Sequence, residues 1–388
     1  LTDFTAFIAR YLWRNTVTEK LDVVTLTREL VSIPSESSHQ TLTDKETPEQ
    51  GVADYLLELC DDHDISFERQ EALPGRHNAI IHFPKPDARK LLIIAHMDTV
   101  SAHDMENPFT AETSNGIIHG RGACDDKGPL AAAFSTLLNI HQEQIPLAYD
   151  VTFAATVDEE CTMSGATKLA ESLPDWDLCI ALEPTDLRVI KAHKGVYRFR
   201  VFTHGKAAHS SVPKQGKNAI HAMLPIIADL QRYGNLLCAV KDPEMGNSFL
   251  SFTQIQAGSS LNIIPDACSL GVDIRILPDV DPAEVAQKIK RIVGDRGTIE
   301  EDYRGSGIRS DLSEPLIAKF LKSNMAEGES AEAVTAPFAT DCSKLTHKGP
   351  CIVWGPGDIA QAHNRIEYID IKQLETACRI LKNYLTTG

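Results

Sequence analysis

Five acidic or imidazole side chains follow short apolar runs in this chain: His96, Asp125, Glu160, Glu183 and His363. Two of them have a further carboxylate close by, in His96-Met97-Asp98 and Glu159-Glu160. Nitrogen and oxygen donors in this number, with one acid to spare, suit a pair of zinc-like ions. The ions take the ligands and the spare carboxylate handles protons. For a single His-x-Asp, a polar pair that merely ends a strand is the stronger reading. Its weight falls as the same design recurs along the chain.

The elements that must position these residues are legible. Leu91-Leu92-Ile93-Ile94-Ala95 reads as a strand buried on both faces, with His96 at its exit. Asp98, two residues on along an extended chain, is placed to accept the other ring N–H of His96. His119 to Gly128 reads as a Gly-rich loop running into a helix whose first residues are Pro129-Leu130-Ala131-Ala132-Ala133; Asp125 and Asp126 sit in the loop. Val151 to Val157 is β-rich and ends in Asp158-Glu159-Glu160, three acids whose mutual repulsion calls for solvent or a cation. Leu178 to Leu182 runs into Glu183-Pro184-Thr185, and Cys351 to Trp354 leads through Gly355-Pro356-Gly357 to His363. In open α/β sheets, sites form in the crevice beyond the carboxyl ends of the strands. The joint pattern therefore points to one dinuclear metal site.

Other chemistries fit less well. The glycines of Gly120-Arg121-Gly122 lack the Gly-x-x-x-x-Gly-Lys-Ser/Thr of a phosphate loop. A dinucleotide fold would need a third glycine where Ala123-Cys124-Asp125 stands, and phosphate would meet Asp125 and Asp126. No Gly-x-Ser-x-Gly elbow is present, and nothing around Cys124 marks it as a thiolate nucleophile. The formal net charge of −16 argues against a nucleic-acid partner, whose phosphates want a basic surface. No apolar run approaches membrane-spanning length, and the first residues lack a secretory signal's pattern. Nine cysteines, odd in number and without Cys-x-x-Cys, suit reduced thiols in a cytoplasmic protein.

A length of 388 residues accommodates two domains. Helices are expected at Thr25–Val31 and Pro48–Cys60, with strands at Ala79–His82 and Leu91–Ala95. After Glu183 the pattern changes to alternation in Tyr197–Phe202. A helix at Ala219–Gln231, strands at Phe249–Gln256 and Cys268–Leu277, and a helix at Pro282–Val293 follow. This α+β block, placed at residues 196–305, separates the first four ligand candidates from His363. The catalytic domain is then discontinuous, residues 1–195 and 306–388.

The chain resembles the co-catalytic zinc amidohydrolase and exopeptidase family that includes acetylornithine deacetylase, succinyl-diaminopimelate desuccinylase, aminoacylases and glutamate carboxypeptidases. The likeness rests on Ala95–Val100, Gly120–Gly122 through Gly128, Asp158–Glu160, Leu182–Thr185, Gly205–Ser211 and Asn262–Pro265, in the family's order over nearly the whole chain. Lys191–Gly195 and Gly355–His363 look most like the acetylornithine deacetylase branch.

The resemblance implies an α/β fold: a three-layer, zinc-exopeptidase-like catalytic domain carrying an inserted α+β, ferredoxin-like block that acts as a lid and pairs two subunits into a homodimer. It implies two divalent ions, zinc first, with cobalt or manganese as alternatives. Asp125 bridges them, His96 and Glu183 complete one, and Glu160 and His363 the other. Glu159 takes the proton of water and passes it to the departing amine; Asp98 orients His96. His209 supplies an oxyanion donor, reaching the partner subunit's site, and Asn262 contacts substrate. Arg275 grips the substrate carboxylate by a bidentate fork, with a solvent-facing charge as the alternative, and Gly357 lends that carboxylate a backbone N–H. His193 is placed at the entrance between the domains. His82, His103, His119, His204 and His347 receive no role.

Two departures bear on the substrate. Asp126 stands where the deacetylase branch carries an apolar residue, and Thr335–Cys342 lacks a Glu found there. Relatives also hold the bond after the bridging Asp in cis. The expected activity is hydrolysis of an amide bond in a small N-acyl amino acid or short peptide, as deacetylase, dipeptidase, carboxypeptidase or desuccinylase. A non-catalytic metal- or peptide-binding homologue is the alternative from another class, and it would be favoured by loss of Glu159 or a ligand.

Overall fold

The structure, a computed structural model, describes residues 20–37, 47–102 and 105–387. His103 and the first nineteen residues of the expected catalytic domain lie outside them.

A nine-stranded mixed sheet forms the body. At its centre four strands run parallel: Asp150–Thr156, Lys90–His96, Leu178–Ala181 and Cys351–Val353, in that spatial order. Their side chains are almost all buried, because helices cover both faces. One face packs against helices Val23–Val31, Gln50–Asp62, Lys127–Gln142, Pro315–Ala326 and Ile371–Thr386. The other is covered by Ser164–Ser172 and Cys342–Leu345. This gives three layers, with a core on each side of the sheet. Registry places His96 opposite Thr156, so the parallel strands end at one level and deliver their following residues to one crevice.

The expected elements are present with shifted ends. The first helix begins at Val23, where Asp22 caps it by accepting the Thr25 N–H at 2.9 Å. The helix expected at Ala219–Gln231 continues to Cys238 because Tyr233 and Leu237 extend its apolar stripe. Besides several strands of two to four residues, two long ones went unread. Ser66–Leu73 pairs on one side only, and none of its side chains is fully buried; its charged residues carry no apolar alternation to detect. Thr298–Gly305 is rich in acids, and only Tyr303 and Gly305 within it are buried.

That second strand completes the block of residues 195–305. It is a four-stranded antiparallel sheet in the order Phe249–Ala257, Ala267–Ile276, Gly195–His204, Thr298–Gly305. Helices Ala219–Cys238 and Pro282–Val293 cover one face of it. The sequence order strand, helix, strand, strand, helix, strand is that of a ferredoxin-like α+β unit. Where the chain enters and leaves it, Gly195 and Gly307 touch: a Cβ on Gly195 would lie 2.6 Å from the Gly307 nitrogen. No side chain fits at that crossing.

Candidate active site

The parallel strands, with the loop before the helix Lys127–Gln142, bring four of the five ligand candidates to one crevice. His96 ends its strand, Glu160 follows Asp150–Thr156, Glu183 follows Leu178–Ala181, and Asp125 precedes the helix Lys127–Gln142. His363 arrives from the loop after Cys351–Val353 and holds φ at +60°, a region that costs a residue with a Cβ about 1 kcal/mol.

Asp125 is the hub. Its Oδ1 lies 2.9 Å from His96 Nε2, and its Oδ2 lies 3.5 Å from His363 Nε2. His363 Nε2 also lies 3.0 Å from a Glu160 carboxylate oxygen. Ligand atoms of His96, Asp125 and Glu160 all fall within 4.8 Å of one another, as do those of His96, Glu159 and Glu183. The Asp125–Asp126 bond is cis, as the resemblance implied.

Asp98 acts differently from expectation. The Nδ1 of His96 lies 2.9 Å from the backbone carbonyl of Asp98, while the Asp98 carboxylate is 3.7 Å away. That carboxylate instead accepts the N–H groups of Glu159 and Glu160, each at 3.1 Å. It therefore fixes the turn that carries both glutamates. Asp158, first member of the acid run, is neutralised by Arg76, whose Nη1 lies 3.0 Å from it. Arg76 also pairs with buried Glu49.

Several positions that shape the site were given no role there from sequence. Glu367, fully buried, accepts N–H groups from Gly122 at 3.0 Å, Cys124 at 2.8 Å and Asp125 at 3.0 Å, and pairs with Arg121 Nη1 at 2.6 Å. It holds the whole Asp125 loop, and at a separation of 242 positions from Asp125 no local signal announces it. Asp126 accepts the His96 backbone N–H at 3.2 Å. Asp341 accepts the Thr156 hydroxyl at 2.8 Å and keeps one buried oxygen unpartnered. Removing Glu367 strands Arg121 and three N–H groups in the interior. Glu367→Ala is expected to destabilise the fold by about 3–5 kcal/mol in urea denaturation.

Charge in the crevice is out of balance. Burial, then the Glu183 carboxylate, pushes Glu159 well up from the ordinary range. Burial and Asp125 do the same to Glu183, and burial raises Asp126 and Glu160. Burial would raise Asp125 too, but its hydrogen bond from His96 prevails and holds it low. Five carboxyls against two imidazoles make a set that wants cations. Their oxygen and nitrogen donors fit zinc, cobalt or manganese.

A cavity of about 490 Å³ opens between this crevice and the inserted sheet. Glu159, Glu183 and His363 line one side; Arg198, Arg275 and Tyr303 line the other. Arg275, half-buried, thus faces the acids across the cavity. His209 and Asn262 do not line it. They sit together at an exposed two-stranded ladder of Ala208–His209 with Ile263–Ile264, where the Asn262 carbonyl accepts the Ser210 N–H at 2.9 Å and His209 Nδ1 lies 2.7 Å from the Ser211 hydroxyl. The expectation for Gly357 is corrected: its N–H is given to Gln373 Oε1 at 2.6 Å and is not free for a carboxylate. His193 is corrected as well. It is buried rather than at an entrance, with its ring nitrogens 3.0 Å from the Lys194 carbonyl and 3.1 Å from the Thr340 hydroxyl.

Comparison with known proteins shows the family and the fold. Acetylornithine deacetylase from Myxococcus xanthus is 33% identical over 304 residues, covering 73% of this chain and 76% of the relative. Succinyl-diaminopimelate desuccinylase from Corynebacterium glutamicum is 26% identical, covering 94% and 96%. Among solved structures, an M20 family metallo-carboxypeptidase from Sulfolobus solfataricus superposes with a TM-score of 0.76 at 17% identity, covering 94% of this chain and 99% of that one. Residues 92–387 match the peptidase family M20/M25/M40, and the chain belongs to that family.

Proposed function

We infer that the protein is a metal-dependent hydrolase that cleaves the amide bond of an N-acyl amino acid or short peptide. The observation that carries this reading is Asp125, whose two oxygens face His96 on one side and His363 on the other. His96, Asp125 and Glu183 would hold one divalent cation, and Asp125, Glu160 and His363 the second. Two such ions supply Lewis acidity at the scissile carbonyl and lower the pKa of water.

The rest falls to the chain. Glu159, on the cavity wall and unused as a ligand, takes a proton from water and returns it to the leaving amine. Asp98 positions it through the backbone. Arg275 binds the carboxylate next to the scissile bond. His209 and Asn262, away from this cavity, would serve a partner subunit's site. A homodimer is supported by the strand Phe249–Ala257, which has a neighbour on one side only, and by exposed Leu224, Leu236 and Ile255 on that strand and its helix. A cytoplasmic location is supported by nine free thiols. No helix among the described residues is long and apolar enough to cross a membrane.

The test is a panel of N-acetyl amino acids, N-succinyl amino acids and dipeptides, offered to metal-free protein reloaded with zinc, cobalt or manganese. Metal-dependent cleavage of at least one class is expected. Protein carrying two ions per chain that cleaves none of them would refute the reading.

A further inference from the structure

The inserted sheet has two faces, and strand alternation decides what each carries. Tyr197, Phe199 and Val201 point into the helices of the block and are buried there. Val196 and Arg198 point the other way and line the catalytic cavity. In register, Arg198 stands beside Asp273 on one neighbouring strand and beside Tyr303 on the other; Arg275 stands beside Val196. Residues 196, 198, 273, 275 and 303 therefore share the face turned to the acids and imidazoles.

On that face one carboxylate holds two guanidiniums. Asp273 Oδ2 accepts the Arg198 Nε–H at 2.8 Å, and Oδ1 accepts the Arg275 Nε–H at 2.9 Å. Only the Nε groups are used. Among the described residues, the terminal nitrogens of Arg198 and Arg275 have no hydrogen-bond partner, and the two side chains keep 44% and 32% of their surface exposed. The trio carries a net positive charge. It presents two planar forks side by side, both already oriented by Asp273. A substrate with a single carboxylate occupies one fork and leaves the second facing the cavity with unanswered donors.

We propose that Arg198 and Arg275 form a two-carboxylate subsite, with Arg198 as the residue that selects an amino-acid substrate carrying a second, side-chain carboxylate of the aspartate or glutamate kind. Asp273 is the positioning residue that sets the two forks side by side. The inference rests on the hydrolase reading for its reaction, but not for its binding chemistry.

The metal-loaded protein and its Arg198→Ala and Arg198→Lys variants provide the test. Turnover of N-acetyl-glutamate, N-acetyl-methionine and N-succinyl-methionine is compared, and calorimetry measures binding of glutarate and butyrate, which needs no turnover. Intact protein is expected to prefer N-acetyl-glutamate and glutarate. Loss of a bidentate charge-assisted pair is expected to lower the preference for N-acetyl-glutamate over N-acetyl-methionine about tenfold or more, acting through KM, in Arg198→Ala. Arg198→Lys, which keeps charge without the fork, falls between. The glutarate preference over butyrate drops in parallel. Equal handling of mono- and dicarboxylates by the intact protein, or equal losses on both in Arg198→Ala, would overturn the proposal. A preference for N-succinyl-methionine instead would also overturn it, by placing the second carboxylate on the acyl side. Failure to cleave any amide, with the glutarate preference intact and dependent on Arg198, would refute the hydrolase reading and leave the subsite standing.

Discussion

Glu159→Gln is expected to lower turnover by about ten-thousand-fold, the upper range for loss of a general acid–base group, while two divalent ions per chain are retained. Gln matches Glu in size and keeps an oxygen on the cavity wall, so the fold and the cation ligands are undisturbed. It cannot accept and return a proton. The raised affinity of Glu159 for protons suits the second half of that cycle. Burial comes first among its causes, followed by repulsion from Glu183, with the imidazole of His96 pulling the other way. Two cations nearby would pull the carboxyl down further, so the burial is what keeps it able to deliver a proton at neutral pH. Steady-state kinetics with metal analysis of the same sample decides the matter. Activity within tenfold of the intact protein would remove Glu159 from the proton path. Metal loss equal to the activity loss would make it a ligand instead.

Much of this arrangement was legible in the chain because parallel strands buried on both faces are written as unbroken apolar runs. Leu91–Ala95 and Leu178–Leu182 state both the strand and the residue at its exit. What escaped notice lacks such punctuation. Ser66–Leu73 and Thr298–Gly305 have polar or acidic residues where alternation would be sought, since each lies at the edge of its sheet. Glu367 and Asp341 gain their roles only from contacts made across the fold, with Asp125 and Thr156 respectively. Asp98 was noticed for the right reason and given the wrong atom. Its carbonyl meets His96, and its carboxylate reaches over to the Glu159–Glu160 turn on the adjacent parallel strand, a contact invisible along one strand. Arg198 read only as part of an alternating strand. Its significance depends on which face of the inserted sheet looks toward the acids, and sequence periodicity gives the alternation without the direction.

Chelating the divalent ions is expected to abolish activity and also to change how stability responds to pH. Without cations, Glu159, Glu183 and Asp126 sit well above the ordinary carboxylate range, and burial pushes Asp341 up to about 7. Folded protein then holds protons that the unfolded chain, with carboxyls near pKa 4, has released. Stability therefore falls as pH rises from about 4 to about 7. The imidazoles act in the same direction. Burial opposes charge on His96, but its bonds to Asp125 and Asp98 prevail and raise it; the Glu160 hydrogen bond raises His363. Their contribution is present at low pH and is lost as pH climbs through the folded values. Asp125, held low, has the opposite sign, but its window lies below pH 4. Cation binding demands ionised carboxylates and neutral imidazoles, so it strengthens with pH. At a thousandfold excess over the dissociation constant it adds about 4 kcal/mol. Thermal melts should therefore rank chelated protein as more stable at pH 5.5 than at pH 7.5, and zinc, cobalt or manganese should raise the melting temperature more at pH 7.5. Chelated protein whose melting point ignores both pH and added cation would show that these carboxyls do not enclose metal, and the hydrolase reading would lose its support.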